Sequence, residues 1–113
     1  ILTFALDLDS ATKKLYIGVN GQWANGSGAT NQTFAGTTGI SIVIPQNTNT
    51  GHYFPACGDY SGTNGVWQYN FGNGYFGTTA VSSAGTNASG NGIFEYDVPA
   101  GYTALCTKGI NSF

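Results

Sequence analysis

Five acids, one histidine and two cysteines are the residues of this 113-residue chain that could carry acid–base, metal or nucleophilic chemistry. Four of the acids form two pairs spaced i, i+2: Asp7 with Asp9, and Glu95 with Asp97. Asp7-x-Asp9 opens like a calcium loop, but Ala11 and Thr12 stand where that loop needs an oxygen ligand and a glycine. The expectation is therefore two carboxylates on the wet face of a strand beside Lys13 or Lys14, with no metal. Glu95-x-Asp97 would put two carboxylates on one face of a strand, as a sandwich glycosidase does. The run continues Val98-Pro99-Ala100 without another acid, which leaves polysaccharide hydrolysis as the least supported reading.

His52 has Asp59 and Ser61 nearby in sequence, yet neither a nucleophile elbow nor a Cys-His-Asn signature surrounds it. No catalytic residue is assigned, and the chain is expected not to be an enzyme. Cys57 and Cys106, in FPACGDY and YTALCTK, lack the spacing of a zinc knuckle. Both read as small buried hydrophobes, with a bridge between them as the alternative. No cofactor is expected, since the Gly-rich GNG and SGTNG read as turns with no helix after them to form a phosphate site.

Charge excludes whole classes of partner. Only 7% of residues are charged, the net charge is −2, and Lys13, Lys14 and Lys108 are the basic residues. Such a chain cannot neutralise a row of phosphates, so neither nucleic acid nor an anionic membrane surface is an expected partner. No apolar run approaches the roughly 20 residues of a membrane-spanning helix. Ile1 opens directly into a strand pattern, from which a longer parent polypeptide is expected.

The elements that must position these groups are strands. Leu2, Phe4, Leu6 and Leu8 alternate with Thr3, Ala5, Asp7 and Asp9, and Leu15, Ile17 and Val19 resume the pattern after a polar break. Period-two alternation places one face in a core, and the pair reads as an antiparallel hairpin followed at once by an Asn20-Gly21 turn. Residues 24–39 read as a long loop pinned by Phe34, 40–44 as a β-branched strand ended by Pro45, and 52–60 as an edge strand. Further strands are expected over 66–71 and 93–98, a loop or weak edge strand over 78–92, and a docked end carried by Tyr102, Leu105 and Cys106. Short strands with Gly-rich turns and no helix indicate one all-β domain spanning residues 1–113.

Trp23, Tyr53, Tyr60, Trp67, Tyr69, Tyr75 and Tyr102 exceed what one small core needs, and aromatic faces beside Asn, Gln and Asp suit neutral sugars. Trp23 and Trp67 are nonetheless expected in the core or between sheets, because each has so much area to bury. The sequons at Asn25, Asn31 and Asn87 are close to the number expected by chance in so Ser/Thr-rich a chain. The candidate binding residues are Trp23, Asn25, Asn31, Asn49, His52, Tyr60 and Asn87, on or beside the polar loops 24–39, 46–51 and 78–92.

Taken in order, FALDLD, KKLYIGVNGQW, HYFPACGDY, WQYNFGNGYF and FEYDVPAGYTALCT resemble the strand blocks in the C-terminal two-thirds of a SPRY domain. They are most similar to the Asn/Gly/Thr-rich SPRY-like modules of bacteriophage tail and virion proteins. The resemblance implies an antiparallel β-sandwich, a concanavalin-like jelly roll, that binds partners through its loops without catalytic apparatus. The strands that should precede FALDLD are absent, so the sandwich is expected to be incomplete at its N-terminus, with an open first edge. The expected role is host-surface recognition of a glycan or protein receptor by a virion module, extracellular if not on a virion. The alternative is a structural fibre or capsid-decoration module whose loops and edge contact neighbouring subunits, as in a homo-oligomer.

Overall fold

The structure, a computed structural model, describes residues 1–25, 34–36, 42–58, 60, 62 and 64–105. The chain divides into two compact units, Ile1–Phe54 and Pro55–Phe113. Among the described residues every regular element is a strand, and no helix is long and apolar enough to cross a membrane. Cys106 and the C-terminal residues after it lie outside the described residues, as do Asn31, Asp59 and Ser61.

The first unit is built on the expected hairpin. β1 (Leu2–Asp7) pairs antiparallel with β2 (Lys14–Val19), from Leu2 opposite Val19 to Asp7 opposite Lys14. Asp7 ends β1 by folding its carboxylate back over the following turn. Its Oδ1 accepts the amides of Asp9 at 3.1 Å and Ser10 at 3.0 Å, and its Oδ2 accepts the Ser10 hydroxyl at 2.7 Å. At the other end of β2, Asn20 and Gly21 have φ of 48° and 80°, the two positive values a type I′ turn demands. That turn aims β3 (Gln22–Ala24) back along β2, with Val19 opposite Gln22 and Gly18 opposite Trp23.

The loop expected over 24–39 is interrupted, since β4 (Phe34–Gly36) pairs with β3 across a bulge at Trp23/Ala24. β3 has a second row of backbone donors and acceptors beyond β2, and β4 takes them up. β5 (Ile42–Val43) pairs with the far end of β2 and stops before Pro45, as its punctuation implies. Lys13 amide donation to Gln46 Oε1 at 2.8 Å and Ile44 amide donation to the Lys13 carbonyl at 3.2 Å extend this seam. The strand expected over 52–60 does not form among its described residues. Pro55 has no amide to donate to a ladder.

Which face of this sheet is sheltered reverses the expectation. Leu2, Phe4 and Leu6 are 45%, 52% and 37% exposed, whereas Ala5 on the opposite face is buried. The sheltered face is built on small residues under large ones. Ala5 lies opposite Tyr16, and Gly18 is buried so closely under Trp23 that an added Cβ would meet its ring at 3.3 Å and the Gln22 carbonyl at 3.0 Å. Trp23 is thus half-buried against its own sheet, while the Leu/Phe row stays open.

The second unit holds little ladder. β6 (Tyr75–Phe76) and β7 (Thr79–Ala80) form a minimal hairpin whose turn has Gly77 at φ +62°. The strand expected over 66–71 does not form, and the one expected over 93–98 reduces to single parallel bridges at its two ends, Ile93 with Asn73 and Val98 with Asn87. Side-chain amides stand in for the missing partners. Asn70 Oδ1 accepts the Gly72 and Gly74 amides at 2.8 and 3.3 Å, and its Nδ2 donates to the Ile93 carbonyl at 2.9 Å. Trp67 is 45% exposed rather than core, and Leu105 is 58% exposed while its neighbour Ala104 is buried. Ala104 lies where the backbone approaches too closely for a large side chain. A Cβ on Gly92 would lie 2.8 Å from both the Ala104 Cβ and the Phe94 ring, and one on Gly72 would lie 3.0 Å from the Gly92 Cα.

That contact yields a paired test. Gly92 (φ +88°) and Gly90 (φ +67°) both occupy the left-handed region, but nothing lies within 4 Å of a Cβ on Gly90. Gly90→Ala should cost only the backbone penalty, about 1 kcal/mol, whereas Gly92→Ala adds overpacking for a total of about 2–4 kcal/mol. Urea unfolding of the two variants measures the gap, and equal losses would mean that the Gly92–Ala104 approach contributes nothing.

Candidate functional site

Two surface features of the second unit gather chemistry: the Glu95/Asp97 pair, and the exposed aromatic run from Trp67 to Phe71. Both carboxylates are held by the segment over 82–86, which passes alongside 93–98. Glu95 accepts the Ser82 amide at 2.7 Å and the Ser82 hydroxyl, and Asp97 accepts the Thr86 amide at 2.7 Å. Main-chain bonds alternate with them, from the Gly85 amide to the Phe94 carbonyl and from the Val98 amide to the Thr86 carbonyl, both 2.9 Å. A Cβ on Gly85 would fall 2.3 Å from the Tyr96 carbonyl carbon, so glycine alone permits the two segments to run this close.

The electrostatics follow from those donors. The Ser82 hydroxyl, then its amide, hold the Glu95 carboxyl below its usual range, and the Thr86 amide and hydroxyl do the same for Asp97. Both are therefore anionic near neutrality. A glycosidase needs one of its two carboxyls raised so that it stays protonated to act as the acid. The pair is arranged as a clamp on a loop. Asp7 behaves alike in the first unit, where the Ser10 hydroxyl and amide lower its carboxyl and Lys14 opposite adds to the effect. Among the described residues, no group of three or more His, Cys, Asp or Glu side chains is placed to hold a metal ion.

The aromatic run is the larger open surface. Trp67, Tyr69 and Phe71 are each more than two-fifths exposed, and the Tyr69 and Phe71 rings stack at 5.6 Å between centroids and 9° between planes. Gln68 and Asn70 alternate with them, so the run carries amides and no charge. Cys57 is a free, half-buried thiol whose hydrogen bond to Tyr69 pushes the phenol above its ordinary value. The alternation of aromatics with neutral amides was the sequence signal for this surface, and expecting Trp67 in a core obscured it.

The expected binding residues are dispersed. Trp23, Asn25, Asn49 and His52 belong to the first unit, and Tyr60 and Asn87 to the second. Trp23 lies over Gly18, Asn25 is exposed just after β3, and Asn49 sits in the turn closed by the Gly51 amide on the Thr48 carbonyl at 3.2 Å. His52 follows that turn and is exposed, its Nδ1–H donating to the Thr50 carbonyl at 2.6 Å and its ring tilted against Phe54. Tyr60 is fully exposed. Asn87 is a brace: its Nδ2 donates to the Asn91 and Gly92 carbonyls at 2.6 and 3.1 Å, and its Oδ1 accepts the Ser89 hydroxyl and amide at 2.7 and 3.1 Å. Both ends of its amide are engaged within its own loop.

The described residues define an all-β chain of small antiparallel sheets. No protein-family model, curated protein or solved structure matches it.

The carboxylate clamps predict an acid limit to stability. A carboxyl whose folded value is lowered stabilises the fold fully above its unfolded value, and that contribution is lost as pH falls through the folded value. Urea midpoints should hold from pH 7 to about 5 and decline below about pH 4, the range in which free carboxylates protonate. Glu95→Gln with Asp97→Asn should flatten the decline without abolishing it, since Asp7 remains. An unchanged acid slope in that double variant would show the clamps to be energetically silent.

Proposed function

We propose that this chain is a non-enzymatic recognition module that binds neutral glycan on a host surface, built on an antiparallel β-sandwich of the SPRY kind and carried by a virion or tail structure. The observation that carries the binding is the uncharged, exposed aromatic run of Trp67, Tyr69 and Phe71. A sugar ring presents C–H edges that lie favourably on an aromatic face, and its hydroxyls exchange hydrogen bonds with side-chain amides such as that of Gln68. Low charge favours a neutral ligand over an anionic one. The virion setting is supported by the resemblance of the strand blocks to SPRY-like modules. The anionic state of Glu95 and Asp97, each engaged by a loop, favours binding without cleavage.

A second reading, a structural fibre or decoration module, is favoured by a different observation. β1 ends its sheet with an exposed apolar row, the kind of edge that neighbouring subunits cover.

The glycan reading is tested by titrating neutral polysaccharides and oligosaccharides while following tryptophan fluorescence and heat. Trp67→Ala and Tyr69→Ala should each weaken binding about tenfold, the usual scale for one stacking ring. Phe54→Ala, which removes an aromatic 75% exposed in the first unit, should leave binding unchanged. Equal losses from all three substitutions, or no binding by the unaltered chain, would overturn the proposal.

A further inference from the structure

The register of β1 constrains what can pair with it. The Asn20 amide donates to the Ile1 carbonyl at 2.9 Å, which makes Ile1 and Asn20 a hydrogen-bonded pair of the antiparallel ladder. Such pairs recur at every second residue, so Thr3, Ala5 and Asp7 direct their amides and carbonyls toward Gly18, Tyr16 and Lys14 on β2. Leu2, Phe4 and Leu6 direct theirs the other way. β1 is the end strand of the sheet order, so among the described residues these groups face no partner strand. The residues with outward backbone groups are also those with exposed apolar side chains, at 45%, 52% and 37%.

We infer that β1 is a self-complementary edge that pairs antiparallel with β1 of a second copy of this chain, about a two-fold axis at Phe4. Of the registers that set outward-facing residues opposite one another, the one centred on Phe4 engages all three within β1, whereas a shift by two residues engages only two. With Phe4 opposite Phe4 of the partner subunit, Leu2 falls opposite Leu6 of the partner subunit, and Leu6 opposite the partner's Leu2. All three are outward-facing on both copies and so form hydrogen-bonded pairs, each exchanging two bonds. The pattern Leu-Thr-Phe-Ala-Leu is symmetric in size about Phe4, so every large residue meets a large one and Thr3 meets the partner's Ala5. A shift of one residue would point inward-bonded residues at outward-bonded ones and mismatch the faces.

Charge and continuity choose a second copy over an unrelated strand. Residues 1–6 carry no charged side chain, and the two Asp7 carboxylates fall at opposite ends of the paired strands, so no like charges meet. β1 has none of the Lys or Pro that protects natural edges. Pairing would continue the β1–β2 ladder into a sheet of twice the width. The apolar row of Leu2, Phe4 and Leu6 with Leu15, Ile17 and Val19 opposite would run unbroken across it. One strand pair is smaller than the roughly 800 Å² per partner of a standard interface, which suits a reversible, concentration-dependent dimer.

This inference rests on the second reading above and names its partner. The test uses the full chain in a Cys57→Ser, Cys106→Ser background, with sedimentation equilibrium and oxidative cross-linking as readouts. The chain should dimerise reversibly, and Phe4→Lys, which sets two ammonium groups across the axis, should raise the dimer dissociation constant at least about tenfold. Phe4→Cys should cross-link, since paired residues lie about 5.5 Å apart, while Leu2→Cys, whose partner equivalent lies about 14 Å along the strands, should not. Should Phe4→Lys fail to fold, cross-linking through Phe4→Cys carries the test alone. A dimer that forms but neither cross-links through position 4 nor weakens in Phe4→Lys overturns this inference and leaves the structural reading standing. A chain monomeric at every concentration overturns both.

Discussion

The constraint on which this structure depends is the demand of backbone amides and carbonyls for partners where, among the described residues, sheet ladders are few and no large side chain is fully buried. Ala5 and Ala24 in the first unit and Ala104 in the second are its buried hydrophobic residues among those described, and Asn91 is a buried polar one. Interiors built from residues this small bring backbone against backbone, at Gly72 with Gly92 and at Gly85 with Tyr96. Peptide groups packed that closely exclude water, and each unpaired one would cost on the order of 1–3 kcal/mol. Side-chain oxygens answer the demand. Asp7, Asn70, Asn73, Asn87, Glu95 and Asp97 each accept a backbone amide from a nearby turn or passing segment.

This explains why the residues with the most chemical promise are occupied with structure. The pair spacing of Glu95 and Asp97 suits catalysis and suits equally the stapling of a parallel segment, because alternate side chains reach the same neighbour. Donors decide between the two uses. Serine and threonine hydroxyls with free amides stabilise the anion, the reverse of the apolar surroundings that keep a catalytic acid protonated. Asn87 is a milder case, an exposed-looking sequon residue whose amide closes its own loop.

The same smallness leaves the large side chains outside. In each unit the buried hydrophobic residues among those described are alanines, while the Trp67–Tyr69–Phe71 row of one and the Leu2–Phe4–Leu6 row of the other stay at the surface. Their chemistries differ. The aromatic row is interleaved with amides and suits a hydroxylated ligand, whereas the aliphatic row coincides with open backbone groups and suits another strand. The proposed recognition surface and the proposed pairing edge thus belong to different units of one chain.

By itself the sequence determined the local features: the β1–β2 hairpin from its alternation, the Asn20-Gly21 turn from its need for two positive φ values, the end of β5 from Pro45, and the absence of helix among the described residues. These depend on neighbours in the chain, which sequence displays directly. The tertiary structure decided which face of the hairpin is sheltered, whether 66–71 and 93–98 become ladder strands, and what Glu95 and Asp97 touch. Alternation in β1 marks two faces without saying which one is covered, and the answer came from Trp23 lying over Gly18, a contact across the sheet. Aromatic residues at alternate positions likewise read as core or as platform until the space available to them is known. One close-packed place of the second unit, around Gly72, Gly92 and Ala104, is filled by residues too small for any hydrophobic pattern to record.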